Sequence, residues 1–300
     1  MQTNPFLYTI CVVIVLFNIF MIFIYCKIKF NSFPFYFNVF FAITISLNNI
    51  IRLITSERNE NEDVSTICQV QAIFLTFSDK LILACVCSYS VLNYLGTTKT
   101  EFFKNLEKII YIILASISLL ISIISTIIFA KQGYSKHSEF CYVNTSNDVK
   151  KVSDTIITGI LFGISLLCLI ILMVNIIKLK NKFKAEAPER NSNIGYHICR
   201  FSFDIIINII LYVYIILIIN KVFSSSGDSS LSFVKDLFYI LLCLIIEVFF
   251  TVNKVFFEET KRILTCKKNI ETNDKNQIII DDFSDAAHSY KNYKDSNQYN

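Results

Sequence analysis

The sequence predicts an all-α fold: a polytopic membrane protein with a seven-transmembrane helix bundle and a short amphipathic helix after the seventh span. Three observations carry this prediction. Only 17% of the 300 residues are charged, while 54% are hydrophobic and the mean hydropathy is +0.53; soluble chains carry about 25% charged residues. The apolar residues gather into seven runs, each long enough to cross a hydrocarbon core about 30 Å thick as a helix of roughly 20 residues. Lysines and arginines then collect in alternate loops, as they do when one set of loops is cytoplasmic.

The first run, 5–26, reads PFLYTICVVIVLFNIFMIFIYC. It has no basic segment before it, is long for a signal-peptide core and is followed by no small-residue cleavage site, so it is a retained helix. The second covers 33–54, the third 67–95, the fourth 109–130, the fifth 152–179, the sixth 196–219 and the seventh 233–257. Isoleucine and phenylalanine both favour strands, but soluble strands run to 3–10 residues and these runs are more than twice as long. A membrane barrel would alternate over about 10 residues, and no such segment occurs. Residues 1–266 therefore form one seven-transmembrane domain, and the polar stretch 267–300 is expected to be a disordered tail.

Orientation follows from the basic residues. Lys27 and Lys29 follow the first run, Lys99, Lys104 and Lys108 the third, and Lys178, Lys180, Lys182, Lys184 and Arg190 the fifth. Lys254, Lys261, Arg262, Lys267 and Lys268 follow the seventh. The opposite loops are poorer: SERNENEDVST is acidic and KVFSSSGDSS holds one lysine, while the loop after the fourth run dissents with Lys131, Lys136, Lys150 and Lys151. The balance puts the N-terminus outside and the C-terminus in the cytoplasm. The sequon Asn144-Thr-Ser lies in that dissenting loop, where glycosylation requires an external position.

Ten cysteines refine the picture. Cys11, Cys26, Cys85, Cys87, Cys168, Cys199 and Cys243 fall in or at the ends of apolar runs, where a small buried hydrophobe is the ordinary role. Cys266 lies beyond the last run. Cys68 and Cys141 alone fall on the expected outer face, so they form the candidate disulfide in the compartment where disulfides persist.

Seven helices, an outside N-terminus and a cysteine pair joining the third helix to the second outer loop resemble a G-protein-coupled receptor. CQVQA at 68–72, LNYL at 92–95 and Asn253 within TVNKVFF resemble the cyclic-AMP-receptor-like and related secretin-like seven-helix group of protists. The chain has no tryptophan, no acidic-Arg-Tyr triplet at the foot of the third helix and no Asn-Pro-x-x-Tyr in the seventh. It is thus not rhodopsin-like, and the activation switches of that group have no counterpart here. The resemblance implies an unknown extracellular ligand, a heterotrimeric G protein as cytoplasmic partner and a place in the plasma membrane.

A charged side chain in mid-bilayer costs about 2.5–3.5 kcal/mol on insertion scales and so turns to the bundle interior. On the third helix Gln69, Thr76, Lys80, Cys87, Ser90 and Tyr94 share one stripe. The sixth offers His197, Phe201, Asp204, Asn208 and Tyr212; the seventh Asp236, Ile240, Cys243, Glu247 and Lys254; the second Asn38, Ala42, Asn49 and Arg52 or Leu53. Gln69, Thr76, Asp79, Lys80, Asn208, Tyr212, Tyr239 and Glu247 make up the expected ligand-pocket or intramembrane polar network. At about 1.5 Å per residue, Lys80 and Glu247 fall at one depth, which predicts an ion pair between them. Asp79, next to Lys80, faces elsewhere and has no evident partner.

On the cytoplasmic side, Tyr94, Lys182, Lys184, Arg200, Asp204 and Asn253 are the expected G-protein-facing residues. NKVFFEETKRILTC separates Val255, Phe256, Ile263 and Leu264 from its charged positions, as in a helix lying on the membrane surface, and ends at Cys266, a candidate for palmitoylation. No catalytic motif occurs, and His137, His197 and His288 are too scattered to hold a metal, so neither an enzyme nor a cofactor is expected. The pI near 8.4 and net charge of +4 reflect loop lysines rather than a basic nucleic-acid face. The rival reading is a small-solute or ion transporter or channel using buried Lys80, Asp204 and Glu247. Against it stand the lack of an internal repeat and of any mid-helix proline.

Overall fold

The computed structural model describes residues 5–27, 33–54, 66–98, 100–130, 134–137, 140–143, 148–186, 202, 205–207, 209–213, 229–251 and 260–261. They are almost all helical: α1 (Pro5–Lys27), α2 (Phe33–Leu53), α3 (Thr66–Thr98), α4 (Thr100–Ala130), α5 (Asp148–Glu186) and α6 (Ser229–Thr251). One β-hairpin, β1 (Tyr134–His137) and β2 (Phe140–Val143), interrupts them between α4 and α5. Helix starts carry ordinary signals: prolines in the first turns of α1 and α2, Asp148 where it complements the dipole of α5, and paired serines opening α6.

Five helices are long and apolar enough to cross a membrane, over Pro5–Cys26, Tyr36–Leu53, Thr66–Gly96, Asn105–Ile128 and Thr155–Asn175. Their surfaces are those of a lipid-embedded protein. On α4, Ile109, Ile113, Leu120, Ile123 and Ile127 are exposed while Ser118, Ser122 and Ser125 are buried. In water this arrangement would be inside out. In lipid it places small polar residues where backbones approach and large aliphatics against the acyl chains.

α3 is the central element, packed on α2, α4, α5 and the hairpin, while α6 packs on α2 and α1. Serine hydroxyls bind the neighbours of α3 to it: Ser88 pairs with Ser118 of α4 at 3.0 Å and Ser90 with Ser165 of α5 at 2.7 Å. Each hydroxyl also has the option of its own helix's carbonyl four residues back, as Ser90 takes from Val86, which lets it sit in an apolar interior without an unsatisfied donor.

Two differences from the expected spans have simple causes. α5 continues to Glu186, so Lys180, Lys182 and Lys184 stand on a helix rather than in a loop; lysine is a good helix former, and a helix need not stop where its apolar stretch stops. The segment after α4 pairs as an antiparallel ladder, Tyr134 with Val143 and Lys136 with Cys141, which the polar sequence around it does not announce. The seventh expected span is α6, while the sixth falls largely outside the described residues.

Candidate functional site

The hairpin sits on α3. A disulfide joins Cys68, in the first turn of α3, to Cys141 of β2, with Cα atoms 5.3 Å apart. Gln71, one turn further along, reinforces it: its Oε1 accepts the backbone N–H of Cys141 at 3.0 Å. Its Nε2 donates to the carbonyls of Ile51 and Ile54 at 3.1 and 2.8 Å, closing the exposed end of α2. One glutamine thus ties α2, α3 and β2 together.

Beneath the hairpin lies a polar cluster centred on Asp79. Its Oδ1 accepts from Asn48 Nδ2 at 2.7 Å and from the Tyr239 hydroxyl at 2.8 Å, and lies 3.7 Å from Arg52 Nη2. Arg52 is almost wholly buried, donates from Nε to Asn48 Oδ1 at 3.0 Å, and stands over the rings of Phe140 and Tyr239 at 5.0 and 5.2 Å. Both rings offer it their electron-rich faces, a contact that gains strength when desolvated. Ser78, on the same side of α3, accepts from Asn48 Nδ2 at 2.8 Å. The chain of contacts runs from β2 through Arg52 to Asp79 and on to α6.

Asp79 therefore has the partners that the sequence withheld: Arg52 and Asn48 from α2 and Tyr239 from α6. Arg52 belongs to the expected buried stripe of α2, and Asn38, Ala42 and Asn49 are buried with it. Asn48 was not singled out, although its position next to Asn49 and one turn from Arg52 was the available signal. The α6 stripe is also buried as expected, at Asp236, Ile240, Cys243 and Glu247.

Two expectations need correction. Lys80 Nζ donates to Thr158 Oγ1 of α5 at 3.4 Å, and Glu247 meets Asn18 of α1 instead of Lys80. Rise per residue sets depth but not angle: Lys80 looks toward α5, and α6 lies on α1 and α2. Gln69 is exposed rather than interior; Gln71, two positions on and about 200° round the helix, takes the inward place.

The remaining site residues divide simply. Thr76 is half-buried and donates to the Ala72 carbonyl at 2.8 Å, so its hydroxyl serves its own helix. Tyr212 is fully buried, its ring 4.7 Å from that of Phe162 on α5. Tyr94 is half-buried near the far end of α3. Lys182 and Lys184 are placed on α5, but their side chains lie outside the described residues, as do Asn144, Arg200, Asp204, Asn208, Asn253 and Cys266 and the tail 267–300. Of the amphipathic segment after the seventh span, only Thr260 and Lys261 are described, both helical.

No protein-family model matches this sequence, and no curated protein matches it. What the fold and site define is a helical membrane protein with a disulfide-anchored hairpin over a buried, charge-containing cluster.

Proposed function

We propose that the chain is a seven-helix signal transducer of the G-protein-coupled receptor type, with its N-terminus outside and the plasma membrane as its location. The observation that supports this reading is the continuous contact from hairpin to helices. Cys141 holds β2 to α3, Phe140 covers Arg52, and Arg52 and Tyr239 meet at Asp79. A ligand that enters from outside and shifts the hairpin must also shift what Arg52 and Asp79 hold, and those are α2 and α6.

The mechanism is differential binding. An external ligand favours one arrangement of α2, α3 and α6, and a cytoplasmic heterotrimeric G protein favours the same one, so each raises the affinity of the other. The surface offered to the G protein comprises Tyr94, Lys182, Lys184, Arg200, Asp204 and Asn253. Glycosylation at Asn144 and palmitoylation at Cys266 belong to this orientation.

Nucleotide exchange on co-expressed G proteins tests the proposal, with solute flux followed in the same membranes. Exchange that depends on this chain, and that Cys68→Ser weakens, supports a receptor. Flux without exchange across a wide set of G proteins makes the chain a transporter and ends the receptor reading.

A further inference from the structure

α1 and α6 meet at two wholly buried polar side chains. Asn18 and Glu247 are both 0% exposed and in contact with one another. One hydrogen of the Asn18 amide is engaged elsewhere, since Nδ2 donates to the Ala42 carbonyl of α2 at 3.4 Å. The amide oxygen, Oδ1, is buried and receives no donor among the described residues. An interior acceptor left without a donor is costly, so the side chain packed against it is expected to bring a proton. An ionised carboxylate has none to give, whereas a protonated one donates through its hydroxyl.

Charge points the same way. Among the described residues, the interior holds two cations, Arg52 and Lys80, against three acids, Asp79, Asp236 and Glu247. Around Glu247, α1 brings Asn18 and, further along, Cys11, on which Arg52 and Asp236 both act. α2 brings Arg52 and α3 brings Asp79, and both act, with Glu247, on Cys243, one turn away on α6. Arg52 lies 3.7 Å from Asp79 and stands over Tyr239, two turns or about 12 Å from Glu247 along α6. Lys80 turns to Thr158 of α5. Both cations thus serve the end of the bundle where Asp79 and Asp236 stand, and Glu247 is the acid in excess. An acid enclosed in excess of the cations takes up a proton rather than carry its charge.

We propose that Glu247 is a proton-binding site. Its carboxyl donates the bound proton to Asn18 Oδ1, while its carbonyl oxygen accepts the second amide hydrogen of Asn18. This acid–amide ring fastens α6 to α1, with α2 held through Ala42. Release of the proton to water leaves a carboxylate facing Oδ1, acceptor against acceptor, and the ring opens. Separation of α6 from α1 is in this way linked to proton release. The inference needs neither the receptor nor the transporter reading.

Infrared spectroscopy of the purified full chain in micelles at neutral pH tests it through the C=O stretch of a protonated carboxyl. The parent should show this band, Glu247→Gln should lose it, and Asp79→Asn and Asp236→Asn should keep it. Asn18→Leu, which removes the acceptor, should shift it to higher frequency. Unfolding gives a second reading. Glu247 holds a proton in the folded chain and gives it up in the unfolded one, where a glutamate titrates at about pH 4.3. Between about pH 6 and 7 the parent's unfolding constant should therefore rise about tenfold more than that of Glu247→Gln. Glutamine is neutral and donates to Oδ1 as the acid does, so this variant should fold with the Cys68–Cys141 bond intact. Absence of the band in the parent, its survival in Glu247→Gln, its loss in Asp79→Asn or Asp236→Asn, an unmoved band in Asn18→Leu, or equal pH slopes overturns the proposal.

Discussion

Arg52 lies 3.7 Å from Asp79, and its guanidinium stands over the rings of Phe140 and Tyr239. Removing one partner of a buried ion pair leaves the other charge uncompensated, at a cost of about 3–5 kcal/mol. Asp79 keeps an accessible oxygen, so Arg52→Ala should fall at the lower end, about 3 kcal/mol, while Asp79→Ala strands the wholly buried Arg52 and costs more. Thermal unfolding in micelles gives both values. The double variant should lose clearly less than the sum of the singles, because residues in one network are coupled by about 0.5–3 kcal/mol.

The Cys68–Cys141 bond joins positions 73 residues apart and closes a loop that contains most of α3, all of α4, β1 and the start of β2. Cys68→Ser or Cys141→Ser should lower stability by about 2–4 kcal/mol. The loss should appear first as faster hydrogen exchange across 134–143, since the hairpin then depends on Gln71 and Phe140 to stay in place. Equal protection in parent and variant would show that the bond holds nothing.

Gln69 and Gln71 offer a matched pair. Gln71→Ala leaves the Ile51 and Ile54 carbonyls and the Cys141 N–H without their partner, a loss of about 1–3 kcal/mol. Gln69→Ala, at an exposed position, should stay within about 0.5 kcal/mol. Melting temperatures of the two variants decide it, and a reversed order would place the other face of α3 against the hairpin.

That pair also shows what a sequence reveals of such a protein. The long helices were legible because bilayer thickness sets a length that apolar runs must meet, and the disulfide because only Cys68 and Cys141 fell outside the membrane on one side. Angular detail was not legible. Gln69 and Gln71, or Asp79 and Lys80, differ by one or two positions in a helix that is apolar nearly all round, so periodicity gives no firm phase. α3 touches α2, α4, α5 and the hairpin, and with neighbours on most sides both Asp79 and Lys80 can be buried while facing different helices. Depth matched Lys80 to Glu247, yet depth alone cannot say that α6 would lie on α1 and α2. The hairpin was hidden for another reason: its strands, YSKH and FCYV, are at the shortest length at which alternation can be read, and FCYV does not alternate.

The serine contacts of α3 give a prediction about packing. Ser90→Ala and Ser165→Ala each break the 2.7 Å hydroxyl pair, and interhelical hydrogen bonds in membranes average about 0.6 kcal/mol. Both effects should therefore be small. Ser122→Leu should do more harm, about 1–3 kcal/mol, because it forces a large side chain into the buried face of α4. Unfolding in micelles ranks the three; a harmless Ser122→Leu would mean that this face of α4 is open to lipid.

The account depends most on a hairpin that is tied to α3 by one disulfide and faces outward. Intact cells treated with a membrane-impermeant maleimide, before and after an impermeant reductant, report on both at once. The account predicts that Cys68 and Cys141 are unlabelled at first and labelled together after reduction. Labelling before reduction, or labelling that requires permeabilised cells, would contradict it.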